Sequence, residues 1–376
     1  MSRMIILGAG ASRACPNTRR DMPLPLLADL PQILSPDRLN PKGDWPSFGK
    51  HFHVLLRSSK NDVEALLTML YELDEYFFKP ARHAILERGV IDRILASGAL
   101  PEFFPNLDDC GPATQILEAL RAFSQETDPI RIAFGPRNFL TVFRGVLRAY
   151  VQESVQSHPC PLHLKLFEML NPHDCVVSFN YDEIADYALH CAGKLREQSF
   201  EGLGFTTINL PGDTTHLGVS VRFLKVHGSI NWYNHYTSDM PNPAYEREGL
   251  RPCIQGGPEI HYYLDRQLLP DAGNTPDAFL SPFHCKDVIC RSVPMFTRHM
   301  HAFRYCLADA QEIWLVGKNF KNSDRELNGV IRWATYGKER ALHIIDPCID
   351  VDFHRSLFNA KVGSRYQTLE EYARDA

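Results

Sequence analysis

The chain lacks any run approaching the roughly 18 to 20 apolar residues that a membrane span needs, so a transmembrane protein is not expected. Its start lacks a basic leader, a long apolar core and a cleavage pattern, which sets the expectation of a cytoplasmic protein rather than a secreted one. It also lacks positive excess. The formal net charge is -5, which gives no general attraction to nucleic acid or to an anionic membrane, although the total does not address local basic patches. Paired CxxC motifs are absent. The ten cysteines are scattered, and the closest two, Cys285 and Cys290, have four residues between them, a poor match to a structural zinc site. Most are expected to be reduced, some buried as small hydrophobes and others partly exposed.

What is present is an ordered globular composition: 376 residues, 44% hydrophobic and 23% charged, enough chain for one large domain with insertions or two unequal domains. Short apolar runs at 4–7, 175–179, 221–226, 313–316 and 342–345 read as strands of a covered parallel sheet. Between the first two lies a long stretch of helical periodicity. Val63, Leu66, Leu67, Leu70 and Leu73 recur at helical spacing after the candidate caps Asn61 and Asp62, and similar patterns surround 91–95, 113–123 and 139–155. Helices are also expected at 162–170, 183–190, around 295–310 and from Asp324, and Pro25 suits the first turn of a helix. The fold expected is α/β, a Rossmann-like parallel sheet with a large helical insertion and no zinc-ribbon module. The core would be 1–50 with 158–376 and the helical block 51–157. Residues 235–290, rich in Pro, Gly, Tyr and acids, read as an irregular excursion.

Several strand ends carry residues suited to chemistry. Gly8-Ala9-Gly10 after the first strand permits a sharp turn and close backbone approach to a pyrophosphate, with Ser12 as a further donor. Alone it is a weak signal: it is not a full GxGxxG, and no lysine-bearing phosphate loop is present. Asn180-Tyr181-Asp182 and His227-Gly228-Ser229 follow later strands, where ligands sit in open parallel sheets. Taken singly, Asn180 is as well explained by an Asx turn, His227 by a partly buried structural imidazole and Asp182 by a helix cap. Trp232 and Tyr233 either line the pocket or pack its rim.

Gly8-Ala9-Gly10-Ala11-Ser12, Asn180-Tyr181-Asp182, Lys225-Val226-His227-Gly228 and Gly317 with downstream Asp324 stand in an order that resembles the SIR2-like family, especially its prokaryotic antiviral-defence branch. The resemblance implies a loop binding NAD as substrate (Gly8, Ala9, Gly10, Ser12), an asparagine at the nicotinamide-proximal ribose and its water (Asn180), an essential acid–base histidine (His227) and a loop-organising Asp182. Gly317 and Asn319 would form the third part of the site. Here two departures matter. The family's GxS reads Gly317-Lys318-Asn319, and the zinc module of the deacylating members has no equivalent. Asp346, after the last of these strands, would reach the adenosine ribose, or else form a turn before Pro347.

The activity implied is hydrolysis of NAD to nicotinamide and ADP-ribose, depleting NAD in antiviral defence, with no metal required. Water held by Asn180 attacks the anomeric carbon and His227, whose ordinary pKa is near neutrality, takes a proton. The alternatives are a non-catalytic NAD or ADP-ribose sensor and an NAD-dependent protein deacylase. Implied partners are a helicase-like ATPase, an Argonaute-like protein or further copies of the chain. Direct nucleic-acid binding is not expected.

Overall fold

The computed structural model describes residues 2–34, 54–59, 62–73, 88–98, 111–123, 136–212, 220–235, 259–264, 294–320 and 325–376. Its strands are β1 (Arg3–Leu7), β2 (Cys175–Ser178), β3 (Thr207–Asn209), β4 (Arg222–Lys225), β5 (Trp232–His235), β6 (Glu259–Tyr263), β7 (Glu312–Val316), β8 (Arg340–Ile345) and β9 (Ala360–Tyr366). Six form one sheet in the order β4-β2-β1-β7-β8-β9, and every pairing in it is parallel. Met4, Ile5, Ile6 and Leu7 are all buried, as are all four residues of β2. Successive strand residues point to opposite faces, so burial of every one means that both faces are covered. This is an α/β, Rossmann-like fold with substantial helical additions.

The first helices are α1 (Ala9–Arg13), α2 (Leu30–Ile33), α3 (Val63–Leu73), α4 (Arg88–Ser97), α5 (Gly111–Phe123) and α6 (Pro136–Ser154). Then come α7 (Pro161–Glu168), α8 (Ile184–Cys191), α9 (Pro294–Asp309), α10 (Arg325–Thr335), α11 (Val351–Leu357) and α12 (Leu369–Asp375). Asp62 caps α3 by accepting the Ala65 N–H at 2.9 Å. Asn61 and Asp324 lie outside the described residues. Helix α3 packs on α5 and α6, while α7 packs on α8 and α12, and α10 on α9 and α11. Pro25 is not in the first turn of a helix: a 3-10 turn spans Leu27–Asp29 after it, and α2 is one short turn with its own proline, Pro31, at its start.

Register puts the strand ends level. Leu7 is paired with Ser178 and Val316, Ser178 with Lys225, Val316 with Ile345, and Ile345 with Tyr366, so all six strands finish in one row across the sheet. Residues immediately after those strands therefore share one edge. Chain order along the sheet reverses between β1 and β7, and the crevice at such a reversal is where open α/β sheets hold ligands.

Part of the supposed irregular excursion is regular. Glu259–Tyr263 pairs antiparallel with Trp232–His235 and parallel with Thr207–Asn209, making a second, three-stranded sheet. The remainder of 236–290, including Cys285 and Cys290, lies outside the described residues. The second sheet packs on an aromatic cluster of Phe200, Phe205, Trp232, Tyr262 and Phe296. No helix among the described residues is long and apolar enough to cross a membrane.

Candidate functional site

The glycines at the sheet reversal are required by the approach of two loops to each other. Gly317 has φ +60, and a Cβ there would lie 2.2 Å from the Ala11 nitrogen and 2.7 Å from the Gly10 Cα. A Cβ on Gly8 would fall 2.3 Å from the Gly317 oxygen, and one on Gly10 2.9 Å from the Gly317 Cα. Only three residues without side chains let the backbones after β1 and β7 meet this closely. The contact is hydrogen-bonded: the Gly8 N–H donates to the Val316 carbonyl at 2.9 Å and the Gly10 N–H to the Gly317 carbonyl at 3.1 Å.

Asn180 locks the turn from the side. Its Nδ2 donates to the Gly8 carbonyl at 2.8 Å and to the Ser12 hydroxyl at 2.7 Å, which uses both amide hydrogens. The Asx turn considered for it is not what its side chain does. Its Oδ1 is the polar atom left to receive a ligand or water. Ser12 in turn hydrogen-bonds the Asp182 carboxylate. Because the Ser12 oxygen accepts from Asn180, its own hydrogen goes to Asp182, giving a relay from Asn180 through Ser12 to Asp182. Asp182 also caps α8, accepting the Ile184 N–H at 3.1 Å. Burial pushes its carboxyl up from the ordinary range, while the Lys225 ammonium and these hydrogen bonds pull it back.

Below Asp182 lies a fully buried ion pair. Lys225 Nζ is 2.9 Å from Asp186 Oδ2 and also donates to the Asp182 carbonyl, and the two side chains are 1% and 0% exposed. The other Asp186 oxygen accepts from the Tyr262 hydroxyl at 2.8 Å and from Asn231 Nδ2 at 3.2 Å. Tyr262 is held as the neutral phenol, its pKa pushed up by burial and by the adjacent carboxylate. The network ties β4, α8 and the second sheet together under the loop that carries His227. His227 is half-buried; its ring meets Phe179 edge-on with centroids 5.1 Å apart, and Tyr181 lies at 6.3 Å.

These groups border a cavity of about 330 Å³, within the range of small-molecule sites. Gly8, Ala9, Ser12, Asn180, Asp182, His227, Gly317 and Asn319 all line it, although the chain separates the first from the last by some three hundred residues. Two expected residues do not. Gly10 is turned into the contact with Gly317, and Asp346 makes the turn, accepting the Cys348 N–H at 2.7 Å through its Oδ1. Trp232 and Tyr233 do not line the cavity either: Trp232 packs on Phe205 and His299, and Tyr233 meets Arg148.

No protein-family model matches the chain, and no curated protein matches its sequence. The site has therefore to be read from its own residues. Among the described residues, no group of three or more His, Cys, Asp or Glu side chains is placed to hold a metal ion.

Sequence reasoning missed several contributors. Leu24, Pro25, Leu26 and Leu30 form an apolar wall, and Glu64 of α3 with Leu147 and Val151 of α6 brings the helical block to the cavity. Lys318 lines it as well, its ammonium 4.5 Å from the Phe179 ring centroid and 4.8 Å from that of Phe320. The signal for the ion pair was present: a lysine between the apolar Leu224 and Val226, and an aspartate on the apolar face of α8 beside Ile184, Ala185 and Leu189. Behind α1, Cys15 and Cys160 are buried in mutual contact, with His163 Nδ1 3.2 Å from the Cys160 sulfur. The Cys15 thiol and His163 push Cys160 down to about 4.

Proposed function

We propose that this cavity binds NAD and that the chain hydrolyses its nicotinamide–ribose bond, releasing nicotinamide and ADP-ribose. The observation that carries the reading is the convergence of Asn180, Ser12, Asp182 and His227 on one cavity at the sheet reversal. Those are the positions marked by the SIR2-like resemblance.

In this mechanism the bond to nicotinamide breaks and positive charge develops on the ribose. Asn180, held rigid by its two donated hydrogen bonds, presents Oδ1 to a water and orients the water's lone pair toward the anomeric carbon. The water oxygen forms the new bond, nicotinamide leaves as a neutral base, and His227 accepts the water's proton. Asp182 keeps the Ser12 hydroxyl, and through it Asn180, in a single orientation. The same resemblance carries the wider proposal of a defence enzyme that depletes NAD, gated by a helicase-like or Argonaute-like partner or by self-assembly.

The test is NAD turnover by the full chain, alone and with the product of its genomic neighbour, beside Asn180→Ala and His227→Ala. Each variant should lower the rate by about 10²- to 10⁴-fold. Equal product formation by all three chains would remove these residues from catalysis. Binding of NAD without turnover in any assembly would establish a sensor instead, and turnover that depends on an acylated peptide would establish a deacylase.

A further inference from the structure

We propose that His354, which does not line the cavity, is a positioning residue for the wall that follows β7, holding Lys318 and Asn319 where the ligand meets them. In naming that ligand as NAD the inference rests on the reading above. The wall runs from Gly317 through Lys318 and Asn319 to Phe320, and the first three line the cavity. Both ends are anchored. At one, the Gly317 N–H donates to the Ile345 carbonyl at 3.1 Å. At the other, Phe320 is fully buried; its N–H donates to His354 Nε2 at 3.1 Å and its carbonyl accepts from Asn328 Nδ2 at 3.0 Å.

A backbone N–H can only donate, so Nε2 of His354 is the bare nitrogen and the ring proton sits on Nδ1. That proton has its own acceptor, the Asp350 carbonyl at 2.7 Å. One neutral tautomer therefore satisfies both contacts of a side chain that is itself fully buried. Burial lowers the His354 pKa and keeps the ring in that form, with Lys318 acting in the same sense and the Asp350 and Asp346 carboxylates opposing. The bond is made to backbone, so it fixes the path of the chain. The Phe320 ring meets Phe358 and Phe179 edge-on at 5.8 and 5.6 Å, and Phe179 in turn lines the cavity and meets His227. Without the imidazole acceptor a buried N–H is left unpaired, which favours other paths of this segment. Those paths take Lys318 and Asn319 from their places, and apparent affinity falls with the competent fraction.

The experiment separates the two ring nitrogens with two amides. Asparagine carries its terminal amide near the place of Nδ1 and glutamine near that of Nε2. His354→Asn thus keeps a donor for the Asp350 carbonyl and strips Phe320 of its acceptor, whereas His354→Gln restores that acceptor. Leu369→Ala, a buried truncation in α12, which packs on α7 and β9, controls for a general loss of stability. Thermal melts of the full chains set a temperature at which all are folded. Amide hydrogen exchange at Phe320 should quicken in His354→Asn and not in His354→Gln. ADP-ribose affinity, measured by calorimetry, should fall by about 3- to 10-fold in His354→Asn, the worth of one hydrogen bond, and stay within about twofold of wild type in the other two. In NAD turnover His354→Asn should raise KM more than it lowers kcat, because Asn180 and His227 stand on other loops. Quicker exchange with unchanged affinity, or an equal loss of affinity in His354→Gln or Leu369→Ala, would show that His354 serves stability alone and overturns the inference. Unchanged exchange in His354→Asn removes the role of His354 and leaves the NAD reading standing; a wild type that binds neither NAD nor ADP-ribose removes the NAD reading and this inference together.

Discussion

Gly317 combines two constraints that act on the same atom. Its φ of +60 already disfavours any L side chain, and a Cβ would stand 2.2 Å from the Ala11 nitrogen. The conformational part alone costs about 1–2 kcal/mol, and relieving the overlap requires the loops after β1 and β7 to separate. Gly317→Ala should therefore destabilise the chain by more than that amount and weaken ligand binding. Gly8→Ala should follow, with a 2.3 Å overlap at an ordinary extended φ of -114, and Gly10→Ala, with its closest approach at 2.9 Å, should be mildest. Urea unfolding of the three variants checks the order. A Gly317→Ala protein as stable as wild type would show that the two loops do not meet as described. The glycines were legible in the sequence, but their reason was not. Gly8 and Gly10 read as a turn that lets a phosphate approach, whereas the backbone they admit is that of Gly317, and nothing local to residues 8–12 reveals that partner.

Among elements, the Lys225–Asp186 pair joins β4 to α8 and supports the segment leading to His227. Removing one partner strands a buried charge, at a cost of about 3–5 kcal/mol, whereas replacing both with apolar groups of similar volume is far less costly. Lys225→Met and Asp186→Leu should each be strongly destabilising, and the double variant less so than their sum. The double variant still leaves the Tyr262 hydroxyl and Asn231 amide without their acceptor, so full recovery is not expected. Additive losses in a double-mutant cycle would contradict a direct pair. The elements themselves were legible where burial writes a continuous pattern. The apolar runs at 4–7, 175–179 and 313–316 fall on the sheet-centre strands β1, β2 and β7, and the 3.6-residue periodicity of 63–73 is a helix. Strand β9, Ala360–Tyr366, left no such pattern because it is the sheet edge: Lys361, Val362 and Gly363 are exposed, and its register against β8 shifts between Leu342 and His343, where Gly363 has no partner residue. Strands β3, β5 and β6 were missed for another reason. They are short and drawn from distant segments, so each pairs with a sequence it cannot announce.

At the scale of the whole molecule, one topological fact gathers the site: six parallel strands ending in one row, with the chain reversing between β1 and β7. The same close-packed interior has a consequence for stability against pH. Burial lowers the pKa of His190, His299, His343 and His354. The effect is largest at His299, which burial, assisted by nearby Arg222, holds down to about 3. Its Nδ1 accepts the Lys225 N–H at 3.2 Å, so a proton added there would face a donor instead of an acceptor. Between that folded value and the unfolded value of about 6.5, the unfolded chain holds the proton and the native chain does not. Stability therefore rises with pH across this window and is lost as pH falls below about 6.5, by at most about 1.4 kcal/mol per pH unit for each such histidine. Asp182 acts in the opposite sense, because a carboxyl raised by burial is more readily protonated when folded. Chemical denaturation at steps from pH 7.5 to 5 should show the net loss. His299→Asn, which keeps an acceptor near Nδ1 and removes the titration, should have a shallower slope than wild type. Parallel slopes would mean that His299 is already charged in the folded chain or shielded by solvent, contrary to its packing against Trp232 and Phe205.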